Sequence, residues 1–183
     1  NKINLKKIDY LISPVGSGGN SSGFYRLIKS VNKKIELIGV DSVNSVIFGN
    51  KNGKRVLRGP GSSIYPKNVI YKFFNKIFWV SDKNAYSNAY NISSKKNFKS
   101  SPCNGAVDLV ANEVLKLYPD KKVLAIFPEG SERYFDTLFN LNWMKKKNFL
   151  SNNKNLSAKK INKIGSNYKG FSYINWNNRD YKN

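Results

Sequence analysis

Short apolar segments alternate with amphipathic ones along the first 143 residues, and this alternation predicts an α/β fold. Residues 8–15 and 35–40 have the length and composition of buried strands. Between them, apolar residues recur at the i, i+3, i+4 and i+7 spacing of one helix face. The residues of that predicted face are Phe24, Leu27, Ile28 and Val31. A strand, a helix and a second strand in this order predict a right-handed crossover between two parallel strands.

The rest of this region predicts more elements of the same kind. Residues 41–66 contain glycines and prolines without a periodic pattern and predict a long loop, which is uncommon in a compact domain unless it borders a site. The further predicted elements are a helical turn over 69–74, a strand over 77–80, a helix capped by Ser81 or Asp82 that reaches about Asn91, a helix capped by Asn104, and a strand over 123–127. Together they predict a parallel twisted sheet with flanking helices.

The composition changes after Trp143, where we place a domain boundary. Residues 1–143 form the predicted α/β unit, and residues 144–183 form a basic extension rich in Lys and Asn with scattered aromatic residues. The sequence leaves two alternatives open for this extension. It is either loosely ordered or an arm that packs against the domain.

The formal charge of +21 comes from 32 Lys and Arg residues against 11 Asp and Glu residues. The excess is mainly Lys and extends along the whole chain, which is typical of a solvated surface and not of a clustered nucleic-acid site. We therefore expect no nucleic-acid partner. A basic binder with steeply salt-dependent affinity is the less favoured alternative. We also expect no membrane partner, and the single cysteine favours a cytoplasmic location.

A glycine-rich loop follows the first predicted strand. Gly16, Ser17, Gly18, Gly19 and Asn20 bring backbone amides to the start of a helix, where small residues and the helix dipole favour a bound phosphate. The spacing matches neither a P-loop nor the dinucleotide-binding fingerprint. By itself this loop is also consistent with a tight turn that requires only small residues.

Six segments resemble, in order and spacing, the C-terminal half of the cysteine synthase and cystathionine beta-synthase family of pyridoxal-phosphate enzymes of fold type II. The first is the glycine loop, which stands in the place of the family's Gly-Thr-Gly-Gly-Thr. The others are Ile38-Gly39-Val40-Asp41-Ser42, the loop from Gly59 to Pro66, Val80-Ser81-Asp82, Cys103-Asn104-Gly105-Ala106 and the turn from Ile126 to Tyr134.

The resemblance implies the large cofactor-binding domain of the tryptophan synthase beta-like fold, incomplete at its N-terminus. It implies pyridoxal 5'-phosphate as cofactor and β-replacement on an O-activated serine, of the O-acetylserine or O-phosphoserine type. By the same resemblance, residues 16–20 bind the cofactor phosphate, Gly59 borders the reacting face, and Asn104 replaces a serine next to the pyridine nitrogen. A neutral partner at that position keeps the nitrogen unprotonated. No metal site is expected.

The family's Schiff-base lysine lies in a motif that this sequence does not contain. The chain therefore resembles the phosphate-binding half of an enzyme, which is consistent with a fragment, a split-gene product or a remnant. The implied partners are a second copy in a homodimer or a complementing N-terminal half. The alternative function is that of a catalytically silent, truncated homologue that acts as a binding or scaffold protein.

Other residues are assigned more narrowly. Asp136, Thr137 and Trp143 resemble the branch that forms 2,3-diaminopropionate. Cys103 is predicted to be a small buried residue and not a nucleophile, because the chain contains no His to activate it. Glu132 and Arg133 are predicted to be structural.

Overall fold

The computed structural model describes residues 3–95, 98–151, 156–165 and 170–181. Within these residues, six strands form one sheet in the order β4-β1-β2-β3-β6-β5. The strands are β1 (Tyr10–Pro14), β2 (Glu36–Ser42), β3 (Phe74–Val80), β4 (Val123–Ala125), β5 (Lys159–Lys160) and β6 (Phe171–Asn175). The helices are α1 (Gly19–Val31), α2 (Asp82–Lys95), α3 (Pro102–Leu117) and α4 (Leu141–Lys146).

Most of the sheet is parallel, as the sequence predicts. β1 pairs in parallel with both β2 and β4, and β2 pairs in parallel with β3. In the β1–β4 pair, Tyr10 lies opposite Val123 and Ile12 lies opposite Ala125. Because the carboxyl ends of parallel strands meet at one edge, the segments that follow β1 and β4 are brought together. One apolar core lies on each face of the sheet.

The segment after residue 143 contributes to this sheet. β6 pairs antiparallel with β3, with Phe171 opposite Val80 and Ile174 opposite Ile77. Trp176 is fully buried and packs edge-on against Phe48, with ring centroids 5.1 Å apart. Of the two alternatives for this segment, its described residues therefore form the packing arm.

Helix α1 buries a face that is rotated from the predicted one, and of the four predicted residues only Ile28 is buried. Phe24, Leu27 and Val31 are exposed, and the buried residues of the helix are Ser21, Tyr25 and Ile28. The helix begins at Gly19, so Ser21 lies in its first turn and shares a stripe with the residues four and seven positions later. Hydrophobicity alone gives no weight to a small polar residue such as Ser21, so the sequence pattern predicted the neighbouring face.

Helix α3 begins earlier than predicted. Ser101 is its N-cap, since the Ser101 hydroxyl accepts a hydrogen bond from Asn104 N at 3.1 Å, and Pro102 occupies the first helical position. The prediction that Asn104 caps this helix is wrong. A serine followed directly by a proline is the stronger start signal, because proline lacks the N–H that the first turn leaves unpaired. Of the predicted apolar face (Ala106, Leu109, Val110, Val114 and Leu117), only Leu117 is exposed.

The start of α2 fixes the long loop between β2 and β3. The Ser81 hydroxyl accepts from Asn84 N at 3.3 Å, which confirms the predicted cap. The Asp82 carboxylate instead accepts hydrogen bonds from Val56 N at 2.6 Å and Leu57 N at 3.0 Å. This carboxylate thus anchors the middle of the loop that leads to Gly59. Among the described residues, none of the helices combines the length and apolar character needed to cross a membrane.

Candidate functional site

A cavity of about 550 Å³ lies at the carboxyl ends of β1 and β4. Its walls come from the loop between β1 and α1, the loop at Gly59, the first turn of α3 and the turn after β4. The lining residues are Pro14, Gly16, Ser17, Gly18, Gly19, Asn20, Gly59, Cys103, Pro128, Glu129, Gly130, Glu132 and Arg133. Six of the seven residues that the resemblance assigns to cofactor binding therefore lie around one cavity, and Asn104 is the exception.

The glycine loop brings the amino end of α1 to the cavity. Gly18 is the N-cap residue and has a φ of +88°, a left-handed conformation that favours glycine. The Ser17 hydroxyl accepts weakly from Gly19 N at 3.4 Å. No acidic residue occupies the first turn of α1. The partial positive charge of the helix terminus is therefore not neutralised by a local carboxylate, which favours an anion in the cavity.

The Gly59 loop lies directly against the glycine loop. Gly61 N donates to Val15 O at 2.8 Å. A β-carbon on Gly16 would overlap the Gly59 carbonyl oxygen, and a β-carbon on Gly59 would lie 2.9 Å from Cys103 Sγ. Both glycines are thus required by the close approach of the backbone to its neighbours.

The first turn of α3 contributes Cys103 to the lining, while Asn104 is not among the lining residues. The Asn104 side chain is almost fully buried, and its Nδ2 donates to Glu129 O at 2.8 Å. Its Oδ1 is buried and has no hydrogen-bond partner among the described residues. Cys103 is fully buried, as predicted, and burial together with the charge of Glu129 raises the pKa of its thiol well above the ordinary value.

The turn after β4 supplies the charged groups of the cavity. Glu129 Oε1 accepts a hydrogen bond from the Tyr134 hydroxyl at 2.8 Å. Burial raises the pKa of Tyr134 far above its ordinary value, and the hydrogen bond to Glu129 raises it further. Tyr134 therefore stays a neutral donor at physiological pH. Glu132 and Arg133 are exposed and line the cavity rim.

Sequence reasoning did not assign Glu129 to the site. A signal was present, because Glu129 follows the strand that the pattern predicts over 123–127, and ligands bind at the carboxyl ends of parallel strands. Using it would have required knowing that β4 is the neighbour of β1. Lysine does not occur among the described residues that line the cavity.

No protein-family model matches this sequence. Among solved structures, the chain is similar to the crystal structure of an O-acetylserine-dependent cystathionine beta-synthase from Helicobacter pylori, with a TM-score of 0.68 and 25% sequence identity. The match covers 72% of this chain and 44% of that chain, so this chain spans less than half the length of the solved structure. The neighbour is an enzyme of the family that the six sequence motifs resemble. The predicted fold class is confirmed: this is an α/β structure with a mostly parallel sheet and flanking helices, as in the tryptophan synthase beta-like fold.

Proposed function

We propose that this chain binds pyridoxal 5'-phosphate through the loop of residues 16–20 and is the phosphate-binding part of an enzyme that performs β-replacement on an O-activated serine. The observation that carries the proposal is the placement of the glycine loop at the amino end of α1 in a cavity that is also bordered by Gly59. The solved neighbour is O-acetylserine-dependent, which supports a substrate of the O-acetylserine or O-phosphoserine type.

The residues present fit a phosphate group. A β-carbon on Gly18 would lie 2.6 Å from Val69 N, and one on Gly16 would overlap Gly59 O, so only glycine keeps the loop in this position. Successive amides of residues 16–20 would hold the phosphate oxygens, and the Ser17 and Asn20 side chains would add donors. The Gly59 loop would leave room for the amino-acid substrate. Pyridoxal 5'-phosphate, when bound, supplies the electron sink for replacement at the β-carbon.

The role of Asn104 is indirect in this proposal. Its Nδ2 hydrogen bond to Glu129 O joins the first turn of α3 to the turn after β4, so it would position the wall near the cofactor ring. Its buried Oδ1, which lacks a partner among the described residues, is an acceptor that a proton-donating group could satisfy.

The lysine that forms the covalent link to the cofactor would come from polypeptide outside this cavity wall. We therefore propose a complementing N-terminal half or a homodimer as partner, and a cytoplasmic location. Residues 1–143 would form part of the cofactor-binding domain, and residues 144–183 an extension that completes the outer edge of its sheet. The absence of lysine from the described cavity lining equally favours the second candidate, a catalytically silent homologue that binds the ligand without reacting.

The diaminopropionate branch rests on sequence resemblance. The residues that suggested it do not line the cavity: Asp136 is exposed, and Trp143 packs against Tyr86 with ring centroids 5.3 Å apart. We propose an amine as one candidate nucleophile, next to sulfide.

The test of phosphate binding uses the substitution Ser17→Asp, which places a negative charge in the loop. We expect the affinity for inorganic phosphate and for pyridoxal 5'-phosphate, measured by calorimetry, to fall about tenfold or more. The matched control is Ser30→Asp near the carboxyl end of α1, far from the loop, with an expected change of less than about twofold. Equal affinities for wild-type protein and Ser17→Asp would overturn the proposed phosphate site.

The test of the enzymatic proposal is borohydride reduction of the protein in its own cells, followed by peptide mass spectrometry. Reduction makes any cofactor–lysine link permanent. A cofactor-modified lysine in polypeptide joined to or purified with this chain would support the enzyme. Phosphate-loop binding without any modified lysine would support the silent homologue.

A further inference from the structure

Glu129 lines the cavity, and two hydrogen bonds orient it. Its Oε1 accepts from the Tyr134 hydroxyl at 2.8 Å, and its backbone oxygen accepts from Asn104 Nδ2 at 2.8 Å. Both donors are at least nine-tenths buried. Because Glu129 is oriented through both its backbone and its side chain, a ligand that binds its carboxylate would not have to pay the entropy cost of ordering a free side chain.

The groups beside Glu129 do not neutralise it. Cys103 and Tyr134 are uncharged at neutral pH, because burial and the nearby carboxylate raise the pKa of each. The two other charged lining residues, Glu132 and Arg133, are exposed at the rim and have opposite charges. The wall that contains Cys103 and Glu129 therefore has a net negative charge.

The glycine loop has the opposite electrostatic character. The start of α1 contributes partial positive charge there, and its first turn contains no acidic residue. The cavity is thus polarised, with an anion-binding end and a carboxylate. A ligand with a phosphate and a protonated nitrogen would satisfy both. A ligand with a phosphate and a neutral, non-donating group would desolvate the charge of Glu129 and leave it only the neutral Tyr134 hydroxyl as a partner, which is costly.

We propose that Glu129 determines specificity by selecting phosphate-bearing ligands that also carry a protonated nitrogen. The proposal rests on the proposed phosphate site at residues 16–20. It departs from the resemblance, which implies a neutral partner for the cofactor ring. The protonated nitrogen is either a ring nitrogen or the ammonium group of an amino substrate, and the two sources are separated by the choice of probes.

The experiment compares two pairs of probes on the full 183-residue chain by calorimetry. The ring pair is pyridoxal 5'-phosphate and its deaza analogue, in which carbon replaces the ring nitrogen. The ammonium pair is phosphoethanolamine and ethyl phosphate. Inorganic phosphate reports on the loop alone. The variant Glu129→Gln keeps the size of the side chain and an acceptor for Tyr134 but removes the charge. The matched control Glu132→Gln removes the same charge from the exposed rim.

We expect wild-type protein to prefer the nitrogen-bearing member of one pair. Glu129→Gln should reduce that preference about tenfold while the affinity for inorganic phosphate changes less than about twofold. Glu132→Gln should change the preference less than about threefold. The pair whose preference falls in Glu129→Gln identifies the source of the protonated nitrogen. If Glu129→Gln lowers the affinity for both members of each pair by the same factor, Glu129 has a structural role and the inference is overturned.

Two further outcomes separate this inference from the proposed function. Wild-type protein that binds inorganic phosphate but prefers neither nitrogen-bearing probe would overturn the role of Glu129 and leave the phosphate site intact. Wild-type protein that binds none of the probes would overturn both.

Discussion

The side-chain amide of Asn104 donates a 2.8 Å hydrogen bond to the backbone oxygen of Glu129. This bond joins the first turn of α3 to the turn that follows β4, two segments that are 25 residues apart and both border the cavity. Asn104 is almost fully buried and Glu129 is half-buried, so the bond is only partly open to solvent. The contact therefore makes the position of the Glu129 wall depend on α3.

Asn104→Ala should destabilise the fold by about 1–3 kcal/mol, because Glu129 O would lose a hydrogen-bond partner that is itself almost fully buried. Unfolding in urea measures this cost. The control is Asn112→Ala in the same helix, where an exposed amide donates to Asp108 and water can take its place; we expect less than about 0.5 kcal/mol there. Equal costs for both variants would contradict a buried, structural hydrogen bond.

Gly18→Ala should destabilise the protein and weaken phosphate binding together. The φ of +88° costs a non-glycine residue about 1–3 kcal/mol, and the new β-carbon would lie 2.6 Å from Val69 N. Gly23→Ala is the matched control, because a β-carbon there meets no atom within 4 Å and lies inside α1. It should stabilise the protein by about 0.5–1 kcal/mol. The prediction is wrong if the two variants have the same urea midpoint.

The sequence was informative where the signal is local. The hydrophobic periodicity of the strands and helices and the cap at Ser81 depend on neighbouring residues in the sequence. The structure contains the elements that these local signals predict. Only the resemblance led us to expect that residues 16–20 and Gly59 border one cavity. The two loops are some forty residues apart in the sequence and meet because Gly16 packs against Gly59.

The features that were missed depend on long-range pairing. Glu129 reaches the cavity because β4 is the neighbour of β1, and no local pattern encodes that order. Pairing of β6 with β3 likewise joins residues about a hundred positions apart. The buried face of α1 was predicted only in part: Ile28 is buried as expected, but Tyr25 and Ser21 complete the buried face, and the small polar Ser21 carries no hydrophobic signal.

Asp82→Asn should loosen the loop that carries Gly59. The carboxylate accepts from Val56 N and Leu57 N, and an amide would place its NH₂ group against one of these donors. We expect the free energy of unfolding to fall by about 1–3 kcal/mol and the amides of Val56 and Leu57 to exchange hydrogen faster. Asp120→Asn on an exposed turn is the control. Unchanged exchange at both amides would show that the loop does not depend on Asp82.

Asp41 should make the stability of the protein depend on pH. This residue is fully buried, and its Oδ1 accepts from Ser42 N at 2.8 Å. Burial raises the pKa of Asp41 to about 7, and hydrogen bonds from Ser45 and Ser42 oppose the shift without cancelling it. Between the ordinary value of 3.8 and about 7, the folded state therefore holds a proton that the unfolded state has lost. Its contribution to stability is present below this window and declines as pH rises through it.

Asp41→Asn removes this titration. The free energy of unfolding of the variant, relative to wild type, should increase from pH 4 to pH 7 by up to about 1.4 kcal/mol per pH unit and then level off. Asp9→Asn provides a control of opposite sign, since the backbone N–H of Lys122 and the side chain of Lys121 lower the pKa of Asp9. Its stabilising contribution is complete above the ordinary value, so Asp9→Asn should show a constant loss over the same range. A wild-type minus Asp41→Asn difference that does not vary with pH would mean that Asp41 titrates alike in the folded and unfolded chain.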